Sequence, residues 1–268
     1  MKKIISFLFI LSTIIFIGCN NNITNSDDTN QGGNDNGNNN EITTPDGLAS
    51  TYDGTWYFYS EDGKIKGDTV TVANGGITGL KTSSGTAIDF VKDNFNSKVI
   101  IDINLIDSKN YVVYKDGNTG NMNFNDSVGY VKIKDASGAV IIEGMLSKTQ
   151  KSTAIDASHA GTYTYNTTTG NAKWELIVTS DLVTFKRTSS SGSSETYNMP
   201  SVYFTKSGNS YTCDAFNYSN TVLNFDTKSF GIEHINVKYT ANSDFSQASG
   251  SSSTTTLSDS KVEYTKTE

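Results

Sequence analysis

Arginine occurs once in the 268 residues, at Arg187, and histidine twice, at His159 and His234. The near-absence of arginine removes the side chain best suited to bidentate capture of carboxylate or phosphate. Acidic residues outnumber basic ones 28 to 21, so the chain also lacks the basic stripe that nucleic-acid phosphates require, and no nucleic-acid partner is expected. There is no His-Glu-x-x-His, no Gly-x-Ser-x-Gly, no glycine-rich loop feeding a helix and no Cys or His pair at metal-ligand spacing. No cofactor, no metal and no catalytic residue are therefore expected, and the chain does not read as an enzyme. Paired carboxylates stand outside this argument, because the fold and not the spacing brings them together. A convincing helical period is missing too: no stretch of twelve residues shows one.

Long apolar runs are confined to the start, "MKKIISFLFILSTIIFIGCNNN", where two lysines precede an apolar run from Ile4 to Ile17. The run is shorter than the ~20 residues that span a bilayer, and it has the layout of an export signal. Phe16-Ile17-Gly18-Cys19 resembles the lipobox of bacterial lipoproteins, in the looser form found in spirochaetes. That resemblance implies removal of residues 1–18 and a membrane partner reached through acyl chains, palmitate among them, on Cys19. Three chains make an effectively permanent anchor, since each buried methylene contributes ~0.8 kcal/mol. It also implies a place in the cell envelope, at the outer membrane. Removing Lys2 and Lys3 leaves a mature formal charge of (21 − 2) − 28 = −9. With Cys19 lipidated, Cys213 has no partner; alternation in "SYTCDAF" places it with Tyr211 and Ala215, which reads as buried.

Residues 19–48 begin as an asparagine- and glycine-rich run with almost nothing apolar, expected to be a disordered tether. Beyond it, short alternating stretches are separated by Gly, Asn, Asp and Ser. In "KVIIDINLI" Val99, Ile101, Ile103 and Leu105 share one face, and in "GYVKIKD" Val131 and Ile133 point inward while Lys132 and Lys134 point outward. Turn signals fall at Asp62-Gly63, Asp116-Gly117 and "DASG", Asp135 to Gly138. The body reads as all-β and antiparallel.

"YDGTWYFYSEDG" at Tyr52 to Gly63 returns as "HAGTYTYNTTTG" at His159 to Gly170. Gly54, Thr55 and Gly63 recur at Gly161, Thr162 and Gly170, an offset of 161 − 54 = 107. "NFND" at Asn123 and "NFDT" at Asn224 follow in the same order. The reading is two tandem small barrels or sandwiches, 51–148 and 158–268, joined by a linker at 149–157. Copy two differs near its end, where 242–260 is rich in Ser and Thr and reads as a disordered or antigenically variable loop.

Gly54-Thr55-Trp56 resembles the first-strand signature of lipocalins, in which the tryptophan plugs one end of a ligand-binding barrel against a basic residue near the last strand. Here the one arginine lies in the other copy. Trp56 is thus either a core plug or part of a lipophilic pocket. Tyr57 and Tyr59 lie on the opposite face of the same strand, as contacts for a sugar or protein or as cross-strand partners. Both histidines read as solvated. The function expected is a membrane-anchored binding, adhesion or structural protein with a protein or glycan partner; the alternative is a lipocalin-like carrier of a small apolar ligand.

Overall fold

The computed structural model describes residues 47–91, 103–105, 108–115, 117–168, 171–241 and 248–267. The signal sequence, Cys19, nearly all of the tether and much of "KVIIDINLI" lie outside the described residues. Among those described, no helix is long and apolar enough to cross a membrane. The described body is all-β and antiparallel.

Nine strands form the first half: β1 (Gly54–Ser60), β2 (Lys66–Ala73), β3 (Gly76–Lys81), β4 (Ala87–Phe90), β5 (Ile103–Leu105), β6 (Ser108–Lys115), β7 (Asn118–Phe124), β8 (Val128–Lys134) and β9 (Val140–Ser147). They make one antiparallel sheet in the order β4-β3-β2-β1-β9-β8-β7-β6-β5. Neighbours in sequence are neighbours in the sheet except β4 and β5, which form its two edges, and the first strand pairs with the last, so the sheet is an open, curled up-and-down array. The sheet curls far enough for Lys115 on β6 to donate to the carbonyl of Asp89 on β4 at 2.6 Å. Turn chemistry sets the hairpins. Asn74 and Gly75 both have positive φ (51° and 74°) in the two-residue link between β2 and β3, as a type I′ turn requires. In "DASG" the Asp135 carboxylate caps the backbone N–H groups of Ser137 and Ala139. Val131 and Ile133 point into the curl with Trp56, Phe58, Val70, Val72, Met122 and Phe124, and all are buried in one cluster.

The second half holds β10 (Gly161–Asn166), β11 (Lys173–Val178), β12 (Leu182–Thr188), β13 (Ser194–Pro200), β14 (Phe204–Ser207), β15 (Ser210–Cys213), β16 (Val222–Asn224), β17 (Ser229–Ala241), β18 (Ala248–Ser258) and β19 (Thr265–Thr267). They form two five-stranded sheets, β13-β12-β11-β10-β19 and β14-β15-β16-β17-β18. A bridge between Ser229 and Glu263 stitches them together. Leu176, Val178 and Phe185 of one sheet meet Tyr211, Leu223 and Phe230 of the other in a single core. As in the first half, the last strand returns to pair with the first: Tyr163 of β10 lies opposite Lys266 of β19.

Three expectations need correction. Residues 248–258 of the Ser/Thr-rich stretch form a strand along β17, with Thr254 opposite Ile235 and Ser253 opposite Asn236; residues 242–247 lie outside the described residues. Threonine is a good strand former, and the β17 backbone satisfies the ladder that a loop would leave to water. Tyr59 faces away from the first-half interior, as alternation requires, yet it is only 1% exposed because the second half covers that face. The histidines are not solvated. His159 stacks on Phe225 with ring centroids 4.3 Å apart, and His234 sits between Tyr197 and Tyr218, each 5.2 Å away.

Cys213 is buried, as its alternation indicated. Burial raises its thiol far above the ordinary range, so the reactive thiolate is suppressed. The folded protein is expected to leave Cys213 unlabelled by iodoacetamide at pH 8, with labelling appearing only in denaturant. Rapid labelling of the folded chain would contradict this placement.

Candidate functional site

Each half is stoppered at one end by the same set of contacts. A single-turn 3-10 helix, Ser50–Tyr52, leads into Gly54, whose φ of 134° favours glycine and turns the chain into β1. Two residues on, Trp56 is 0% exposed, and its indole Nε1–H donates to the Tyr52 carbonyl at 2.8 Å. Lys148, just past β9, lies over the indole with Nζ 5.2 Å from the ring centroid, and it donates to the Thr51 carbonyl at 3.3 Å. The second half repeats this atom for atom in role. The 3-10 turn Ala157–His159 leads to Gly161 with φ 141°, and the Tyr163 hydroxyl donates to the His159 carbonyl at 2.8 Å. Lys266 of β19 lies 5.5 Å over the Tyr163 ring and donates to the Ser158 carbonyl at 3.3 Å.

Thr51, Tyr52, Gly54 and Trp56 thus correspond to Ser158, His159, Gly161 and Tyr163, all at an offset of 163 − 56 = 107. The cation follows at 266 − 148 = 118, later because the β17–β18 hairpin is longer than β8–β9. The cation over the ring is a lysine in both halves, not the one arginine. The available signal was a lysine at or just past the last strand of each copy, Lys148 after β9 and Lys266 within β19. A cation over an aromatic face contributes ~0.5–1 kcal/mol at a partly exposed site.

Tyr57 and Tyr59 are drawn into the junction between the halves. Tyr57 is half-buried against the second-half core. The Tyr59 hydroxyl accepts from the Lys151 N–H at 2.5 Å and donates to the Lys151 carbonyl at 3.2 Å, while Tyr203 donates to the Tyr59 carbonyl at 3.1 Å. Trp56 and the two tyrosines therefore do not share one surface: the first plugs the interior, and the others fasten the second half.

The same junction assembles a pair of carboxyl groups that lie 143 − 61 = 82 residues apart in sequence. Glu61 follows β1, Glu143 lies on β9, and the Glu61 N–H donates to the Glu143 carbonyl at 2.8 Å. Around them stand Tyr130 and Lys132 of β8, which donate to Glu143 Oε1 at 2.5 and 2.7 Å. From the second half, Tyr218 donates to Glu61 Oε1 at 2.9 Å and Asn217 to Oε2 at 3.3 Å. Burial, then the charge of Glu143, push Glu61 up to about 8. It therefore holds its proton at neutral pH beside Glu143. Burial, helped by Lys132, lowers His234 on the far side of Tyr218. Through Tyr218 and Asn217, Glu61 ties the first half to the second.

Among the described residues, no group of three or more His, Cys, Asp or Glu side chains is placed to hold a metal ion. Comparison with protein-family models, with curated proteins and with solved structures finds no match for this chain.

Proposed function

We propose that this protein is a lipid-anchored, non-catalytic binding protein of the cell envelope, held at the outer membrane by Cys19 and presenting its paired β modules to a protein or glycan. The observation that carries the reading is how the aromatic and charged side chains are employed. Trp56 and Tyr163 stopper the modules, Tyr59 fastens them, and Glu61 and Glu143 are locked together at the junction. What remains for function is the outer surface and the clefts between the halves, where a partner or ligand can dock. The lipobox-like Phe16-Ile17-Gly18-Cys19 supplies the anchor in this reading.

Two experiments test it. Cys19→Ser is expected to leave an unprocessed or unlipidated precursor; detergent-phase partitioning of the mutant after signal removal would refute the anchor. Intact cells are expected to expose the modules to added protease, and full protection would refute a surface contact role.

A second reading, a carrier of a small apolar ligand, is favoured by the pairing of Trp56 with Lys148 and by the first-with-last strand pairing of the curled sheet. Native mass spectrometry before and after organic extraction decides it. An extractable bound mass makes the carrier reading primary, and a bare mass removes it.

A further inference from the structure

The described sheets end in six edge strands, and five of them are blunted. β4 and β14 are four residues long and carry Asp89 and Lys206, β5 and β19 are three residues long, and β13 carries Glu195 and Pro200. Short length, charge and proline are the devices that keep an edge from pairing with another chain. β18 has none of them. It runs eleven residues, "ASGSSSTTTLS", without a charged residue or a proline, and β17 is its one ladder partner among the described strands.

The ladder around this edge is thin. β16 pairs with β17 only at Ser229, Phe230 and Gly231, so from Ile232 to Ala241 β17 and β18 continue as a two-stranded ribbon, a unit that gains much from a third strand. On the β17 side the Thr221 hydroxyl already answers the Glu233 backbone, accepting from its N–H at 3.1 Å and donating to its carbonyl at 3.2 Å. On the β18 side, β5 of the first half approaches without joining the ladder, and Ser253, Thr254, Thr255 and Thr256 stay exposed with both halves in place.

We propose that β18 is a strand-pairing edge whose occupant is a second copy of this chain, joined β18 to β18 in antiparallel register. Two copies related by a two-fold axis normal to the ribbon set one residue opposite its own copy, because directly opposed side chains share a face. With Thr254 on that axis, the middle of Ser252 to Thr256, Ser252 meets Thr256 and Ser253 meets Thr255, hydroxyl against hydroxyl throughout. A hydroxyl both donates and accepts, so such a strand complements itself, whereas a charged strand needs a partner of the other sign. The chain is acidic overall, and β18 is the one long described edge where two copies meet without setting like charges opposite each other. The pairing is independent of the binding reading above, since it needs neither the anchor nor a ligand.

The test is oxidative cross-linking of the full chain in detergent, with a single cysteine introduced at Ser253, Thr254 or Thr255 in turn. Directly opposed residues bring their Cβ atoms within ~4.5–5.5 Å, from which a disulfide closes with little movement. Wild type sets the background from Cys19, since Cys213 is buried, and Thr196→Cys on exposed β13 reports random collision. Thr254→Cys is expected to give the strongest disulfide dimer, well above Thr196→Cys; a maximum at Ser253 or Thr255 keeps the pairing and moves the axis by one residue. Adding Ser252→Lys and Thr256→Lys to Thr254→Cys faces lysine with lysine twice across the axis and should cut the yield about ten-fold, although each copy becomes less acidic. Ser252→Lys with Thr256→Glu faces opposite charges and should restore it, with melting temperatures near wild type throughout. Yields at all three positions no higher than that of Thr196→Cys overturn the proposal, and so does a dimer indifferent to the lysine pair.

Discussion

Truncating Trp56 to alanine is expected to cost about 3–5 kcal/mol, the largest loss from any single side chain of the first half. The side chain is 0% exposed, meets the Phe124 ring edge-on at a centroid distance of 5.4 Å, and supports the Tyr52–Phe124 stack at 4.9 Å beside it. Its removal opens a cavity where a surface turn cannot collapse inward, because Gly54 already holds that turn in a conformation favouring glycine. It also leaves the Tyr52 carbonyl without its donor and Lys148 without its aromatic face. At roughly 2–4 °C per kcal/mol for a chain of this size, the melting temperature should fall by about 10 °C or more. Trp56→Phe keeps most of the volume and loses the N–H, so it should cost only about 1–2 kcal/mol. Urea denaturation of the two variants separates the contributions. An alanine variant within ~1 kcal/mol of wild type would show that Trp56 is not the stopper of the module.

Tyr163 gives the internal control. It holds the corresponding place with a hydroxyl instead of an indole N–H, and its ring packs on Phe225 and Phe230 at 5.8 and 5.1 Å. Tyr163→Phe removes one hydrogen bond to the His159 carbonyl and should cost about 1 kcal/mol, the same order as the N–H of Trp56. Two positions of equal role, reached from different residue types, show that the repeat is kept by contact geometry more than by residue identity. This is why Gly54 and Thr55 were recognisable in copy two while the lysine was not.

The fold was readable wherever one strand decides its own pattern. Alternation put Val131 and Ile133 inside and Lys132 outside, and "DASG" announced the β8–β9 turn, because these are local choices of backbone and side chain. Alternation says which face a residue occupies and nothing about what covers that face. Alternation therefore puts Tyr59 on the correct side of β1 but cannot show that the second half covers that face and leaves Tyr59 buried. The Ser/Thr stretch misled for a related reason: its polarity reads as solvated, while its strand state depends on β17 lying beside it. The carboxyl pair was beyond reach, since 82 residues and the docking of two halves separate Glu61 from its partners.

Replacing Glu61 by glutamine is expected to stabilise the protein progressively as pH rises. The folded-state pKa of Glu61, about 8, lies above its unfolded value of 4.5. Between those values the folded chain binds more protons than the unfolded one, so stability falls with increasing pH. The contribution is whole below pH 4.5 and is lost as pH climbs through about 8, where the folded state must hold two carboxylates side by side. A fully expressed shift would amount to several kcal/mol; allowing for relaxation of Lys132 toward the new charge, the loss is on the order of 3 kcal/mol. Other groups facing Glu61 titrate elsewhere: burial holds Tyr130, Tyr203 and Tyr218 well above the ordinary phenol range. His234 runs in the opposite sense, since its lowered pKa withdraws stability as pH falls through its titration. Glutamine keeps the shape of the protonated acid. Its carbonyl can accept from Tyr218, and its amide can donate to Glu143 or to the Asn217 Oδ1 that now lacks a partner. Urea denaturation at pH 5, 7 and 9 should give a Glu61→Gln advantage near zero at pH 5 and on the order of 3 kcal/mol at pH 9. Because Tyr218 and Asn217 come from the second half, the gain should fall on the cohesion of the two halves, and limited proteolysis within 149–157 should slow in step with it. A pH-independent difference between the two proteins would show that Glu61 carries no proton into the junction.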